Sequence, residues 1–158
     1  MSDTIASIDD VRRAAEVLAP IVSPAPLIRS YALERELELS AGRRVWIKDY
    51  GWTPVGSFKL LGALNWMSRH AAEIGDRPVV AHSSGNFASG LAFAGKTFGK
   101  RVVIVMPEDA PQIKFKRTRD LGAEVQTYDK SQDHVTGQRD RLTLEITEQQ
   151  QAVKASPY

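Results

Sequence analysis

The regular alternation of short apolar segments with longer stretches of helical periodicity restricts the fold more than any other feature of this sequence. Four apolar segments rich in β-branched residues lie at Val45–Ile47, Pro78–Ala81, Val102–Met106 and Val125–Tyr128. Helical periodicity marks Ser57–Ala72, Phe87–Phe98, Gln112–Leu121 and, more weakly and interrupted by Gly137, about Asp133–Gln149. Strands joined by helices of this length run parallel through right-handed crossovers. The sequence therefore predicts an α/β fold of parallel-sheet layers with flanking helices.

The first forty residues predict two further helices outside this alternation. Ser7 and Asp10 form the pattern of an N-terminal cap, and apolar residues recur on one helical face at Ile8, Val11, Ala15 and Leu18. Three prolines then favour an extended stretch, and a short helix is expected over Tyr31–Leu39. No strand is expected after the last helix, so the end of the chain is interpreted as an interruption of the pattern.

The composition excludes several classes of protein. The 21 basic and 19 acidic residues leave a net charge of +2, too small an excess to indicate nucleic acid or an anionic membrane as a partner. The absence of cysteine excludes disulfides and thiolate chemistry and suits a reducing compartment. The longest apolar run, Val102–Met106, is far shorter than the ~20 residues that span a bilayer. Because Asp3, Asp9 and Asp10 argue against a secretory or transit peptide, we expect a cytoplasmic chain.

Two loops at the carboxyl ends of predicted strands are candidates for a site, because ligands bind at that edge of a parallel sheet. In the first loop, Gly56-Ser57-Phe58-Lys59 opens a helix, so that Ser57 can cap it and Lys59 lies in the first turn. The positive end of the helix dipole and burial both favour the neutral, nucleophilic amine there. On local sequence alone, the alternative is an ordinary lysine on an exposed turn.

The second loop, Ser83-Ser84-Gly85-Asn86, follows the strand that ends near His82 and precedes a helix. Hydroxyl groups and backbone N–H groups at a helix N-terminus form a cradle for a carboxylate or a phosphate. An ordinary capping turn is the alternative, because Ser, Gly and Asn are common capping residues.

A third motif, Gly90–Thr97, matches the P-loop pattern G-x-x-x-x-G-K-[ST] and would make Lys96 a nucleotide-binding residue. The preceding strand ends well before the first glycine, and Leu91 and Ala94 continue the apolar face of a helix. We therefore expect buried helix here, and an ATP-binding module is a remote alternative.

The remaining ionisable clusters predict no site. His70, His82 and His134 lack the spacing of metal ligands, so no metal is expected and all three are interpreted as structural. A basic helical stretch after Pro111 is interpreted as a solvated helix face, because acidic residues flank it and no aromatic platform lies nearby. It consists of Lys114, Lys116, Arg117 and Arg119.

Taken together, these segments resemble one family. Pro54–Ala63 resembles the lysine motif of the pyridoxal-phosphate enzymes of the threonine dehydratase, serine racemase and tryptophan synthase β type (fold type II), and Ser83–Gly90 resembles their asparagine loop. Further segments follow in the family's order and spacing, namely Ile104–Pro107, Ala110-Pro111, Lys114, Thr118 and Gly122–Val125. The resemblance implies the N-terminal part of a two-domain enzyme whose cofactor is pyridoxal 5'-phosphate. The implied reaction is β-elimination of L-threonine or L-serine to a 2-oxo acid and ammonia.

The resemblance also implies roles for individual residues. Lys59 would carry the cofactor and act as the base at the substrate Cα, Phe58 would pack beside the cofactor ring, and Asn86 would hydrogen-bond its phenolic oxygen. The pocket for the substrate carboxylate would be lined by Ser83, Ser84, Gly85 and Phe87, the last standing where dehydratases and racemases usually have His. Ser84 matches the racemase-type pattern and could supply a proton opposite Lys59, so serine racemase-type activity is an alternative.

Members of this family are much longer than this chain, and that difference sets the domain prediction. We expect residues 1–77 to be the N-terminal portion of a large cofactor domain, 78–152 a small open α/β domain, and 153–158 a truncated return to the large domain. The family binds the cofactor phosphate with a run of consecutive glycines, whereas none of the 11 glycines here are adjacent. Apolar surface should then be exposed around Ile21–Leu27 and Leu33–Leu39.

The expected partners are a small amino-acid substrate and either a second copy of the chain or a complementing C-terminal half. Alone, the chain is expected to be weakly active or inactive. A non-catalytic remnant that binds a homologue is the alternative.

Overall fold

The structure, a computed structural model, describes residues 6–40 and 42–156. Within these residues the strands are β1 (Leu27–Arg29), β2 (Trp46–Lys48), β3 (Val79–His82), β4 (Val102–Pro107), β5 (Glu124–Tyr128) and β6 (Val153–Lys154). The helices of the same residues are α1 (Ile8–Leu18), α2 (Tyr31–Glu36), α3 (Lys59–Ile74), α4 (Asn86–Phe98), α5 (Gln112–Asp120), α6 (Lys130–Thr136) and α7 (Gln138–Gln149). The predicted alternation of strands and helices from residue 59 onward is confirmed.

Four strands form a parallel sheet in the order β5-β4-β3-β6. Alternate residues of β4 enter two separate cores, because successive side chains of a strand point to opposite faces. Val102, Ile104 and Met106 pack with the buried faces of α3, α4 and α5, whereas Val103 and Val105 pack in a second core with residues of β5 and α7. Helices therefore cover both faces of this sheet, as parallel sheets require.

The predicted strand near Val45–Ile47 does not join the parallel sheet. It is β2, and it pairs antiparallel with β1, a strand that the sequence did not predict because it follows two prolines and has three residues. The expectation that no strand follows the last helix was also wrong: Val153 and Lys154 form β6 and pair with Val79 and Val80 of β3. Strands this short are specified by their partners and not by a local apolar pattern.

Apolar side chains are exposed on and beside the β1–β2 pair. Leu27 and Leu37 are 61% and 58% exposed, in line with the expected apolar surface, while Ile21 and Val22 are half-buried against the core. The apolar face of α1 is also largely exposed, although its N-terminal capping box of Ser7 and Asp10 forms as predicted.

Gly137 divides the last predicted helix into two. Its φ of +58° ends α6 in the left-handed region, and α7 begins at the next residue, Gln138. The short helix after β1 ends at Glu36, earlier than Leu39, because Glu38 adopts a φ of 44°. No helix of the described residues is long and apolar enough to cross a membrane. The division into domains at residues 77 and 152 remains a prediction.

Candidate active site

Lys59 is the first residue of α3, as its predicted place in the first turn requires. The Oγ of Ser57 accepts a hydrogen bond from the Lys59 backbone N–H at 3.2 Å, so Ser57 satisfies one of the unpaired donors at this helix end. The Lys59 side chain is half-buried, and its Nζ lies 5.7 Å from the centre of the exposed Phe58 ring. An amine and an aromatic face are thus presented side by side.

The segment before Lys59, residues 49–58, is called the lysine loop below. Buried Thr53 organises it: its Oγ1 donates to the carbonyl of Tyr50 at 2.8 Å and accepts from the N–H of Ser57 at 3.3 Å. The Gly56 N–H donates to the Thr53 carbonyl at 2.9 Å, and fully buried Val55 anchors the loop in the core. The loop therefore has a defined shape where it enters α3.

The segment Ser83–Asn86, called the asparagine loop, lies at the carboxyl end of β3. The Ser83 N–H donates to the carbonyl of Val105 at 3.0 Å, which extends the β3–β4 ladder, and the Ser83 Oγ accepts from the Gly85 N–H at 3.2 Å. Asn86 is the first residue of α4, and no side chain caps that helix end at Gly85. The first backbone N–H groups of α4 can therefore bind an anion.

Both loops open into one cleft of about 630 Å³, called the Lys59 cleft below. Six of the seven residues predicted for the site line it, together with three others. The complete lining is Ser57, Phe58, Lys59, His82, Ser83, Gly85, Asn86, Phe87 and Arg139. Ser84 is the exception, because it is exposed on the loop and does not contribute to the lining.

The two loops meet because α3 and α4 approach closely at Gly90. A Cβ built on Gly90 would lie 3.2 Å from the Lys59 carbonyl oxygen and 3.4 Å from the Cβ of Ala63. At the other end of the motif, a Cβ on Gly95 would lie 2.4 Å from Val102 Cγ2 and 2.8 Å from the Lys100 carbonyl oxygen. The P-loop pattern thus lies inside α4, as expected, and close packing explains both of its glycines.

His82 and Arg139 line the cleft although the sequence placed neither in a site. The Arg139 Nε and Nη2 donate to the two carboxylate oxygens of Asp140 at 3.1 and 3.0 Å. The hydrogen bonds from Arg139 hold the pKa of the Asp140 carboxyl below its usual value. Asp140 Oδ1 also lies 3.9 Å from Nδ1 of His82, a buried nitrogen without a hydrogen-bond partner among the described residues.

Burial, and then the neighbouring Arg139 guanidinium, lower the pKa of His82. The neutral imidazole is therefore favoured at the cleft. His82 thus borders the cleft, and its interpretation as structural stays a prediction. Its position as the last residue of β3 was a usable signal, because ligands bind at the carboxyl edge of a parallel sheet. Arg139 carried no comparable signal, because the turn at Gly137 decides where the start of α7 points.

A second cleft of about 630 Å³ shares Phe58, Lys59 and Phe87 with the Lys59 cleft and follows the outer face of α3. Trp66 and His70 line it as a stacked pair, with ring centres 4.7 Å apart. Across residues 6–40 and 42–156, the structure shows no group of three or more side chains arranged to hold a metal ion.

Comparison with known proteins extends these observations. A family model described as "Pyridoxal-phosphate dependent enzyme" matches residues 18–158. An L-threo-3-hydroxyaspartate ammonia-lyase of Pseudomonas sp. is 37% identical over 145 residues, covering 92% of this chain and 43% of that protein. A serine racemase of Schizosaccharomyces pombe is 31% identical over 160 residues, covering all of this chain and 47% of that protein.

Solved structures show the same relationship. A pyridoxal 5'-phosphate-dependent aspartate racemase superposes with a TM-score of 0.86 and 27% sequence identity, covering 99% of this chain and 47% of that one. The chain thus spans less than half the length of the curated relatives described above and of this structure. The likeness extends over the whole chain and includes both loops of the Lys59 cleft.

Proposed function

Because the chain belongs to the pyridoxal-phosphate dependent enzyme family, we propose that the Lys59 cleft carries the catalytic lysine of a β-elimination, in which L-serine or L-threonine yields a 2-oxo acid and ammonia. One observation carries this proposal: the Lys59 amine, the Asn86 amide and the Phe58 ring line the same cleft, although Lys59 and Asn86 belong to different helices. The family has pyridoxal 5'-phosphate as its cofactor.

The residues of the cleft fit that cofactor in part. Lys59 offers an amine for its aldehyde, Phe58 an aromatic face for its ring, and Asn86 a side-chain N–H for its phenolic oxygen. No two of the 11 glycines are adjacent, so the glycine run expected for the phosphate is not in this sequence. We therefore expect the 158-residue chain to hold the cofactor weakly and to turn over slowly or not at all.

When bound, the cofactor withdraws electrons from the substrate Cα. Around it, we assign three tasks to this chain. The Lys59 Nζ anchors the cofactor and takes the Cα proton. The N-terminus of α4 and the Ser83 hydroxyl bind the substrate carboxylate through N–H and O–H donors. The half-buried lysine lies beside Phe58 and Phe87, which give the cleft its apolar lining next to the amine.

The position of Ser84 favours elimination over racemisation. Racemisation needs a second proton donor facing the substrate opposite Lys59, whereas Ser84, the residue that the resemblance offers for that task, does not line the cleft. Formation of 2-oxo acid without the D-isomer is the expected product pattern in any preparation that turns over. Accumulation of D-serine from L-serine would support the racemase alternative.

A second candidate substrate is favoured by Arg139. The guanidinium lines the cleft, and its pairing with Asp140 uses two of its five N–H groups. An anionic substrate side chain, such as that of L-threo-3-hydroxyaspartate, would find the remaining guanidinium N–H donors there, beside the Asp140 carboxylate. A charge-assisted hydrogen bond contributes about 1.5–3 kcal/mol. Since the Arg139 side chain is 39% exposed, we expect a preference for the dicarboxylic amino acid of about tenfold.

The cofactor proposal is tested by the visible absorbance spectrum of the purified chain with added pyridoxal phosphate. We expect an absorbance band shifted from that of free pyridoxal phosphate in the wild-type chain and in Lys96→Ala, which changes an exposed lysine of α4. Lys59→Ala should show only the band of the free cofactor. Borohydride reduction followed by peptide mass spectrometry should place the label on Lys59. Identical spectra for wild type and Lys59→Ala would refute the proposal.

The substrate is tested on the same preparation by titrating that band with L-serine, L-threonine and L-threo-3-hydroxyaspartate. Arg139→Gln should lose any preference for the dicarboxylic amino acid while still responding to L-serine. An equal loss for all three ligands would mean that Arg139 supports the cleft and does not select the substrate.

A further inference from the structure

Arg117 belongs to the basic stretch of α5 that the sequence predicts to be a solvated helix face, and in the structure it also contacts another part of the chain. Its side chain is half-buried, and its Nη2 donates to the carbonyl of Pro54, in the lysine loop, at 3.1 Å. Arg119, two residues further along α5, is exposed and stacks over the ring of Phe115 at 5.5 Å. One cation of the stretch therefore contacts the segment that leads to Lys59.

The guanidinium covers the turn of the lysine loop as well as bonding to it. Gly56 adopts a φ of +59°, and a Cβ built there would lie 3.5 Å from Nη2 and 4.0 Å from Nη1 of Arg117. Gly56 thus permits both the left-handed backbone and the approach of the guanidinium. The contact lies three residues before Lys59.

On the other side of this contact, Arg117 belongs to a helix that is anchored in the core. Phe115 and Thr118 of α5 are buried, and Phe115 lies in the same core as Phe87, Ala88 and Leu91 of α4, the helix that begins at Asn86. A shift of the lysine loop against α5 would therefore move Lys59 relative to Asn86.

We propose that Arg117 is a positioning residue. Its hydrogen bond to the Pro54 carbonyl fixes the lysine loop and thereby keeps the Lys59 amine at a constant position relative to the Asn86 side chain. The consequence for cofactor binding rests on the proposed function; the consequence for the loop does not. A lysine at this position could still donate to the Pro54 carbonyl, but it could not cover the turn with a planar group.

The loop is tested by hydrogen exchange of the chain without cofactor, measured on peptides that cover residues 50–60 and 86–98. We expect Arg117→Met to speed exchange of the 50–60 amides about tenfold, because the loop loses a charge-assisted bond, while α4 is unchanged. Arg119→Met is the matched control and should leave both peptides as in wild type. Arg117→Lys should lie between wild type and Arg117→Met.

Three results would overturn the proposal: equal exchange in Arg117→Met and Arg119→Met, faster exchange that includes α4, or no recovery in Arg117→Lys. With pyridoxal phosphate added, Arg117→Met should raise the apparent Kd about tenfold without abolishing the Lys59-dependent band. If wild type shows no such band, the proposed function fails, whereas the exchange experiment still decides the role of Arg117.

Discussion

Replacing Gly95 by alanine should destabilise the chain, although alanine is the better helix former. Gly95 lies within α4, where exchanging Gly for Ala by itself stabilises a helix by about 0.5–1 kcal/mol. The added Cβ would meet Val102 Cγ2 at 2.4 Å and the backbone oxygen of Lys100 at 2.8 Å, distances that require the helix end to move. Overpacking of this kind costs about 1–3 kcal/mol.

Gly62→Ala supplies the matched control for this substitution. Gly62 lies inside α3, and a Cβ built on it meets nothing within 4 Å. Both variants gain the same helix propensity, so the difference between them isolates the cost of packing at Gly95. Because the backbone contact at Lys100 cannot be relieved by a side-chain rotation, we expect a difference of about 2–3 kcal/mol. For a chain of this size that corresponds to about 4–12 °C in Tm.

Urea denaturation followed by far-ultraviolet circular dichroism measures the difference directly, provided that the slope with denaturant is the same for both variants. Gly62→Ala should be at least as stable as wild type, and Gly95→Ala clearly less stable. Equal midpoints for the two variants would refute the close contact between α4 and the start of β4, and with it the packing explanation of the P-loop pattern.

Two further predictions concern the Lys59 cleft. Gly90→Ala should reduce the free energy of binding pyridoxal phosphate more than it reduces the free energy of unfolding, because its Cβ would press on the Lys59 carbonyl oxygen at 3.2 Å. An unchanged Kd in a spectral titration would contradict this. His82→Gln should reduce the loss of stability between pH 7 and pH 5. Burial lowers the folded-state pKa of His82 below 6.5, so below that pH the unfolded chain binds the extra proton and acid favours unfolding. Tm measurements at pH 7 and pH 5 in wild type and His82→Gln check whether acid lowers the Tm of wild type more than that of the variant.

The sequence predicted the parts of the fold that local pattern determines. Each of the strands β3 to β5 and the helices α3 to α5 lies within two residues of its predicted bounds, and β3, β4, α3 and α4 each bury several apolar side chains. Strands β1 and β6 were missed because three and two residues carry no periodicity, and their pairing depends on partners distant in the sequence. The strand near Val45 was predicted but assigned to the wrong sheet, because its pairing with β1 also depends on a partner distant in the sequence.

The residues of the candidate site also fall into two groups: those that the local sequence indicates and those whose place depends on distant parts of the chain. The sequence predicted Lys59, Ser83 and Asn86 because Ser83 follows the end of a strand and the other two open helices, and the family resemblance implied their roles. Arg139 was missed because its place in the cleft depends on a glycine turn between α6 and α7. The contact of Arg117 with the lysine loop joins residues 63 apart and could not be read from a basic stretch on one helix.

The position of β3 between β4 and β6 has a consequence for the newly synthesised chain. Val79 pairs with Val102 on one side and with Val153 on the other, so the second neighbour leaves the ribosome long after the first. At about 5–20 residues per second, translation takes about 4–15 s to proceed from Val79 to Val153. For that interval the strand that leads into the Lys59 cleft has an open edge, to which a strand from another nascent chain can add. The fraction of chain lost to aggregation in the cell should therefore depend on the rate of synthesis, and it should fall when translation initiates less often on each messenger RNA.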